Sequence, residues 1–221
     1  MVEKKRKDNV GKEESGICNY VQIAGIIENT CEFDHEMFGE KFYRTRVIVE
    51  RNSGIKDYVP VIISERIVEI QELQYGVQVE IDGQFRSYNK YIADHCKLLL
   101  YVFVNSITIV SDMAFLQRNS IYLDGHICKD PVLRRTSVSK KQIADILLAV
   151  NRRYGKSDYI PCIIWAKNAV FANKCKVGDR LQVYGVIQSR KYRKKNPDTN
   201  EVEIREAYEV SIQTIQGHFL A

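Results

Sequence analysis

Tyr159 and Trp165 lie six residues apart in Ser157-Asp-Tyr-Ile-Pro-Cys-Ile-Ile-Trp165. In an extended strand an even spacing puts both rings on one face, while Ile160, Cys162 and Ile164 point to the other. Two flat aromatics are then presented away from the core. Such rings gain when a flat partner covers them, and an unstacked nucleobase is one, worth about 1–3 kcal/mol per stack. Packing of Trp165 against a helix or a partner subunit is the competing reading for that ring.

Two basic runs carry an aromatic each. Tyr154 sits beside Arg152, Arg153 and Lys156 in Asn151-Arg-Arg-Tyr-Gly-Lys156. Tyr192 sits among Arg190, Lys191, Arg193, Lys194 and Lys195 in Gln188-Ser-Arg-Lys-Tyr-Arg-Lys-Lys195. The turn residues Asn196-Pro-Asp-Thr-Asn200 follow, which predicts a protruding basic hairpin. Charge runs are commonly solvated faces. A ring inside both runs points instead to a surface that meets phosphates and bases together, with salt-dependent phosphate contacts.

The elements that must position these residues occur twice. Asn19-Tyr-Val-Gln-Ile-Ala-Gly25 returns as Asn119-Ser-Ile-Tyr-Leu-Asp-Gly125, and Lys56-Asp-Tyr-Val-Pro-Val-Ile-Ile63 as Ser157-Asp-Tyr-Ile-Pro-Cys-Ile-Ile164. Gly76-Val-Gln-Val-Glu-Ile-Asp-Gly83 returns as Gly178-Asp-Arg-Leu-Gln-Val-Tyr-Gly185. Blocks that keep their order and spacing are divergent copies. In the second copy Ile121, Leu123 and Ile127 alternate with polar residues, as do Ile146, Leu148 and Val150, then Ile160, Cys162 and Ile164. Residues 166–175 suit a short helix stopped near Gly178. Leu181 and Val183 begin a fourth strand that Gly185 allows to kink, and Tyr208, Val210 and Ile212 close the set. The first copy offers strands over 21–27, 43–49, 58–63, 77–88 and 98–110, with a helix near 65–73. Five strands with a helix between the third and fourth is the order of an OB-fold barrel. The expected fold is all-β: a polar arm (1–16), a first OB-fold barrel (17–110), a linker (111–118) and a second barrel (119–217).

Composition narrows the functions. The chain has 221 residues, 45% hydrophobic and 28% charged, enough for two domains with real cores. Residues 1–118 carry 15 Lys and Arg against 18 Asp and Glu; residues 119–221 carry 18 against 10, so a polyanion favours the second half. The N-terminal lysines have no apolar run behind them, and no stretch is long enough to span a membrane. The six cysteines form no CxxC pair and read as buried thiols of a reducing cytoplasm. The four histidines share no spacing with them, so neither a metal nor another cofactor is expected. Asp124, Asp130, Asp145, Asp158 and Asp179 fall on separate elements, and no phosphate loop, nucleophile elbow or HExxH pair occurs, so an enzyme is not expected.

Residues 119–215 resemble the bacterial single-stranded DNA-binding protein family. The resemblance rests on Asn119-Ser-Ile-Tyr-Leu-Asp-Gly-His-Ile-Cys-Lys-Asp-Pro-Val-Leu-Arg134, Ile143-Ala-Asp-Ile-Leu-Leu-Ala-Val-Asn151, the 157–165 block and Gly185-Val-Ile-Gln-Ser-Arg-Lys-Tyr192. It implies binding of single-stranded DNA without strong sequence preference, in replication, recombination or repair. It places Tyr154, Tyr159, Trp165 and Tyr192 on the family's stacking positions, three of them Tyr where Trp is common. Phosphate contacts are expected from Arg134, Arg135, Arg152, Arg153, Lys156, Arg190, Lys191, Arg193, Lys194 and Lys195. The first copy departs from the pattern: Ser64 stands where Trp165 does, Gly83-Gln-Phe-Arg-Ser-Tyr-Asn-Lys-Tyr91 keeps only Arg86 and Lys90, and Cys31–Glu40 is acidic. Two readings of it stand, weaker DNA binding through Tyr58, Tyr88 and Tyr91, or a role in assembly. Members of the family usually end in an acidic tail that recruits replication and repair proteins. This sequence ends Gln216-Gly-His-Phe-Leu-Ala221, which leaves that route unexpected and other replication proteins as the partners open to it. Four barrels per assembly, the family's habit, implies a homodimer, and the expected location is the bacterial cytoplasm and nucleoid. The alternative is a protein-interaction module resembling the short primosomal proteins of replication restart.

Overall fold

Runs rich in Val, Ile and Tyr, punctuated by glycine turns, fold as strands because branched and aromatic side chains fit a pleated, half-buried surface. The computed structural model describes residues 16–92, 95–111, 116–136, 140–195 and 201–218. The first repeat supplies β1 (Asn19–Ile27), β2 (Glu32–Met37), β3 (Glu40–Glu50), β4 (Lys56–Ser64), β5 (Gln78–Ile92) and β6 (His95–Val110). The second supplies β7 (Arg118–Arg135), β8 (Gln142–Asn151), β9 (Ser157–Trp165), α1 (Ala166–Ala172), β10 (Arg180–Lys195) and β11 (Val202–His218). Most of the arm (1–15), the middle of the linker (112–115) and the turn 196–200 lie outside the described residues.

Each repeat closes on itself. In the second, β7 pairs with β8 and β10, β8 with β9, β10 with β11, and β11 runs parallel to β9. In the first, β1 pairs with β3 and β5, β3 with β4, β5 with β6, and β6 runs parallel to β4. These are two five-stranded OB-fold barrels, with cores built from sets such as Val21, Ile23, Val61 and Phe85, and Leu123, Leu148, Ile164 and Leu181. The expected bulge falls between Tyr184 and Gly185, and its counterpart between Asp82 and Gly83. A Cβ on Gly185 would stand 2.3 Å from the Ser211 carbonyl oxygen, so only glycine allows the bend there.

The barrels join through their first strands. β1 pairs antiparallel with β7, and Val21 faces its repeat counterpart Ile121, which puts a local two-fold axis through that pair. Beside it Asn19 exchanges two hydrogen bonds with the Phe85 backbone (2.7 and 2.9 Å), and Asn119 does the same with Ile187 (2.7 and 2.9 Å).

Three local expectations need correction. The segment after β4 holds no α-helix. It carries a 3₁₀ turn, Ile70–Glu72, and buried Leu73 plugs the barrel end that Ala169, Ala172 and Cys175 fill in the other repeat. The β-branched Ile67, Val68 and Ile70 favour the shorter turn over a helix. The acidic loop of the first repeat is an ordered hairpin, β2 against β3. Of the cysteines, Cys162 and Cys175 are buried but Cys96 is exposed; all six are free thiols.

Candidate nucleic-acid interface

β9 delivers the two rings as the alternation requires. Tyr159 is 42% exposed and Trp165 38%, while Ile160, Cys162 and Ile164 between them are buried. Opposite them on β8 stand Ala149 and Ile143. The Trp165 indole N–H donates to the Ser211 hydroxyl at 3.1 Å, which fixes the ring at its edge. No cation lies over either ring among the described residues.

Tyr154 is 100% exposed, in the turn closed by the Arg152 N–H to the Lys156 carbonyl at 2.7 Å. Its φ of +86°, followed by Gly155 at +71°, throws the ring outward at the Tyr159 end of β9. Arg135, Arg153 and Lys156 have no carboxylate partner among the described residues.

Two expected phosphate ligands are committed elsewhere. Arg152 spans the carboxylate of Asp158, which is 1% exposed, and reaches the Ser87 carbonyl at 3.0 Å. Arg134 forks onto Asp145 on the floor of the site. In both cases the carboxylate hydrogen bond pushes the guanidinium pKa further up; the carboxylate of the Arg152 pair is buried, whereas Arg134 and Asp145 are both nearly half exposed.

The basic hairpin does not stay over its own barrel. β10 crosses to β4: the Ser189 N–H donates to Asp57 at 2.8 Å, and the Ser189 hydroxyl accepts from the Tyr58 N–H at 3.0 Å. The β5–β6 arm makes the reciprocal crossing to β9. There the Ser87 N–H donates to Asp158 at 2.6 Å, and the Ser87 hydroxyl accepts from the Tyr159 N–H at 2.8 Å. Arg51 holds Asp57 as Arg152 holds Asp158. The two barrels are thus clasped by a matched pair of buried aspartates. In the sequence Asp158 is weighed only as a carboxylate for metal chemistry and Asp57, Ser87 and Ser189 are given no role, although each recurs at the repeat offset.

The crossing relocates rings and charges. Tyr192 faces an open groove of about 1330 Å³ between the arms, whose lining includes Tyr88, Lys90 and Lys194, with Pro60 and Pro161 from the two barrel floors. Arg190 lies 5.7 Å from the Tyr192 ring and 3.8 Å from Glu209. Tyr91 and Tyr88 are exposed along the first arm. Tyr58, by contrast, is capped: Arg46 lies 5.4 Å from its ring centre and Lys191 5.7 Å. Arg193 and Lys194 are exposed; the Lys195 side chain lies outside the described residues. Arg46, Arg44 and Arg205 neutralise Glu206, Glu32 and Glu203 in the groove, while Lys90, Lys97 and Lys194 make no salt bridge among the described residues. Burial pushes the Tyr208 hydroxyl up to about 12, so it stays a neutral donor to Glu206 at 3.0 Å.

Ser64 is buried and bonded to Glu40, confirming that no ring stands where Trp165 does. A ring occupies the neighbouring place instead. Parallel registers put Phe103 of β6 where Ser211 of β11 lies, and Phe103 is covered by Arg86 at 4.1 Å. Burial pulls the Arg86 pKa down, and the neighbouring Arg152 pulls in the same direction. Among the described residues no group of His, Cys, Asp or Glu could hold a metal ion, and no helix is long and apolar enough to cross a membrane.

Known proteins share this construction. Over 92% of its length the chain superposes on the wild-type single-stranded DNA binding protein from Thermus aquaticus, covering 94% of it, with a TM-score of 0.72 at 18% identity. That likeness extends the fold to both barrels. A single-stranded DNA-binding protein 3 of Clostridium acetobutylicum is 37% identical over 84 residues, 35% of this chain and 58% of the relative. A single-stranded DNA-binding protein B of Bacillus subtilis is 38% identical over 81 residues, 34% of this chain and 71% of the relative. The chain therefore spans little more than half of the clostridial relative and most of the Bacillus one. The model of the single-strand binding protein family, a family of binding proteins rather than enzymes, matches residues 118–217. By its second barrel, this chain belongs to the single-strand binding protein family.

Proposed function

We propose that the chain binds single-stranded DNA by stacking bases on exposed rings and holding phosphates with free cations. The observation that carries this reading is the pair Tyr159 and Trp165, outward on one strand and uncapped. The strand enters at Tyr154, crosses Tyr159 and Trp165, and passes into the groove between the arms, where Tyr192 and Tyr88 face it. Arg135, Arg153, Lys156, Lys191, Arg193 and Lys194 follow the backbone, with Arg190 at the edge of the path. Lys195 lies next along the same arm. Arg152 and Arg134 hold the floor in shape. Tyr58 and Tyr91 belong to the weaker half of the site, because Tyr58 already has cations on its face. The role is to protect or organise single strands during replication, recombination or repair within a bacterial cell, where replication proteins are the natural partners.

Assembly as a homodimer is part of the same proposal. Tyr20, Tyr122 and Tyr184 stand on the outer face of the β1–β7 seam, the last two with ring centres 4.9 Å apart. A second copy laid on this face gives four barrels.

Trp165 is the single tryptophan, so its fluorescence reports on the site directly. Titration with oligo(dT) is expected to quench it strongly, and salt is expected to reverse the quenching. Unchanged emission at saturating oligo(dT), with binding seen by another method, would remove stacking on β9 from the reading.

A further inference from the structure

The β2–β3 hairpin carries a residue in the wrong place for stability alone. Met37 pairs with Glu40 across a two-residue turn, and both central residues have positive φ, Phe38 at +52° and Gly39 at +73°. That is the geometry of a type I′ turn, which favours Asn or Gly at its first central position. Phe38 occupies it instead, strained by its Cβ and 95% exposed. Phe33 and Met37 are exposed on the same hairpin. Around them stand Glu32, Asp34, Glu36 and Glu40; Arg44 pairs with Glu32 and Asp34 and Arg66 with Glu40, so Glu36 is the carboxylate of the hairpin without a salt bridge among the described residues. The knob is apolar at its tip and acidic around it, a poor ligand for a polyanion.

The opposite character appears on the second barrel. Helix α1 buries Ala169 and Ala172 and turns Lys167, Val170 and Phe171 outward at positions i, i+3 and i+4, and Lys174 is exposed just past its end. Val177 and Lys176 extend this patch past the helix, and residues 166–178 contain no Asp or Glu.

We propose that copies of this chain associate head to tail, the Phe38 knob of one seated on the α1 patch of the next. Apolar tip meets apolar helix face, and the acidic collar meets the lysines. An interface between two different patches is heterologous, so it builds rings or open filaments rather than stopping at a two-fold dimer. It is separate from the seam face; Glu32 and Asp34 at the base of the knob line the groove between the arms, whereas Glu36 and Phe38 at its tip do not.

Sedimentation velocity of the full chain without DNA tests this. At low salt, species beyond the dimer are expected to grow with concentration. They should dissolve at about 1 M salt, where charges are screened beyond about 3 Å. Phe38→Asn is expected to abolish the larger species while holding or raising the thermal midpoint, because Asn suits the turn. Charge reversal gives the stricter arm. A Glu32→Lys, Glu36→Lys chain and a Lys167→Glu, Lys174→Glu chain should each fail to assemble alone, yet assemble when mixed. A wild-type chain that stops at the dimer, a Phe38→Asn chain that assembles unchanged, or a mixture that stays apart overturns the proposal.

Discussion

In the second barrel Trp165 of β9 leans on Ser211 of β11; in the first, Ser64 of β4 stands near Phe103 of β6. The same two places hold a ring and a hydroxyl, with the assignments exchanged. The second barrel leaves its ring open, whereas the first covers Phe103 with Arg86 and Tyr58 with Arg46 and Lys191. The hairpins diverge likewise: Glu32–Met37 is acidic where Arg134 and Arg135 stand on β7. The polar contacts of the seam and the clasp did not diverge, although buried Asp124, held by Arg180, has Ala24 as its counterpart. Asp57 and Asp158, Ser87 and Ser189, and Asn19 and Asn119 make the same bonds in both halves. The difference teaches where a duplicated barrel is free to vary. A clasp on a two-fold axis must match on both sides, while outward side chains answer only to what they bind.

The clasp provides the largest expected effect. Asp158→Ala strands Arg152 and the Ser87 N–H, and breaking a buried pair in this way costs about 3–5 kcal/mol of stability. Asp57→Ala should cost a similar amount, read by urea denaturation. A large gap between the two would break the symmetry on which the comparison rests. Next comes ring loss. Trp165→Ala should weaken oligo(dT) binding by roughly 1–3 kcal/mol. Phe103→Ala should weaken it less, because Arg86 already occupies that ring. Equal losses in fluorescence-anisotropy titrations would mean that both barrels stack bases alike.

Smaller again is the arginine pair of the β8–β9 turn. Arg153→Ala should lower the slope of log affinity against log salt by about 0.7, one phosphate contact, and leave the unfolding midpoint in place. Arg152→Ala should do the reverse, lowering the midpoint through Asp158. The sequence could have separated them: Arg51 precedes Asp57 as Arg152 precedes Asp158, while Arg153 has Asn52 as its counterpart. A cation that recurs with its carboxylate at fixed spacing is a pair; one present in a single copy is a surface charge. The rings on β9 were legible because an alternation of period two leaves little choice of face. The Gly185 bend was legible because two copies showed glycine at the same place. The crossing of the arms was not, since the Ser87 to Tyr159 contact joins residues 72 apart with no local pattern. The missing helix of the first repeat was misread because Glu65–Leu73 has helical polarity but β-branched residues that favour its short 3₁₀ turn.

The smallest expected effect comes from giving the first barrel the second one's arrangement. The double substitution Ser64→Trp, Phe103→Ser moves the ring from β6 to β4 and restores the hydroxyl beside it. It also uncouples Arg86 from its ring, leaving a guanidinium free to meet a phosphate. Both changes favour nucleic acid. Two features oppose them: Tyr58 remains capped from Arg46 and Lys191, and the Glu32–Met37 hairpin still repels a polyanion nearby. The net gain in oligo(dT) affinity should therefore stay below about 1 kcal/mol, less than a full stack contributes. Against a Trp165→Phe background the introduced indole is the sole one, so its quenching reads the first barrel alone. Strong quenching with no gain in affinity would show that the ring stacks but the acidic hairpin cancels it, and adding Glu32→Gln and Glu36→Gln should then release the gain. No quenching would mean that single strands bypass the first floor, and the division of labour between the barrels would be complete rather than graded.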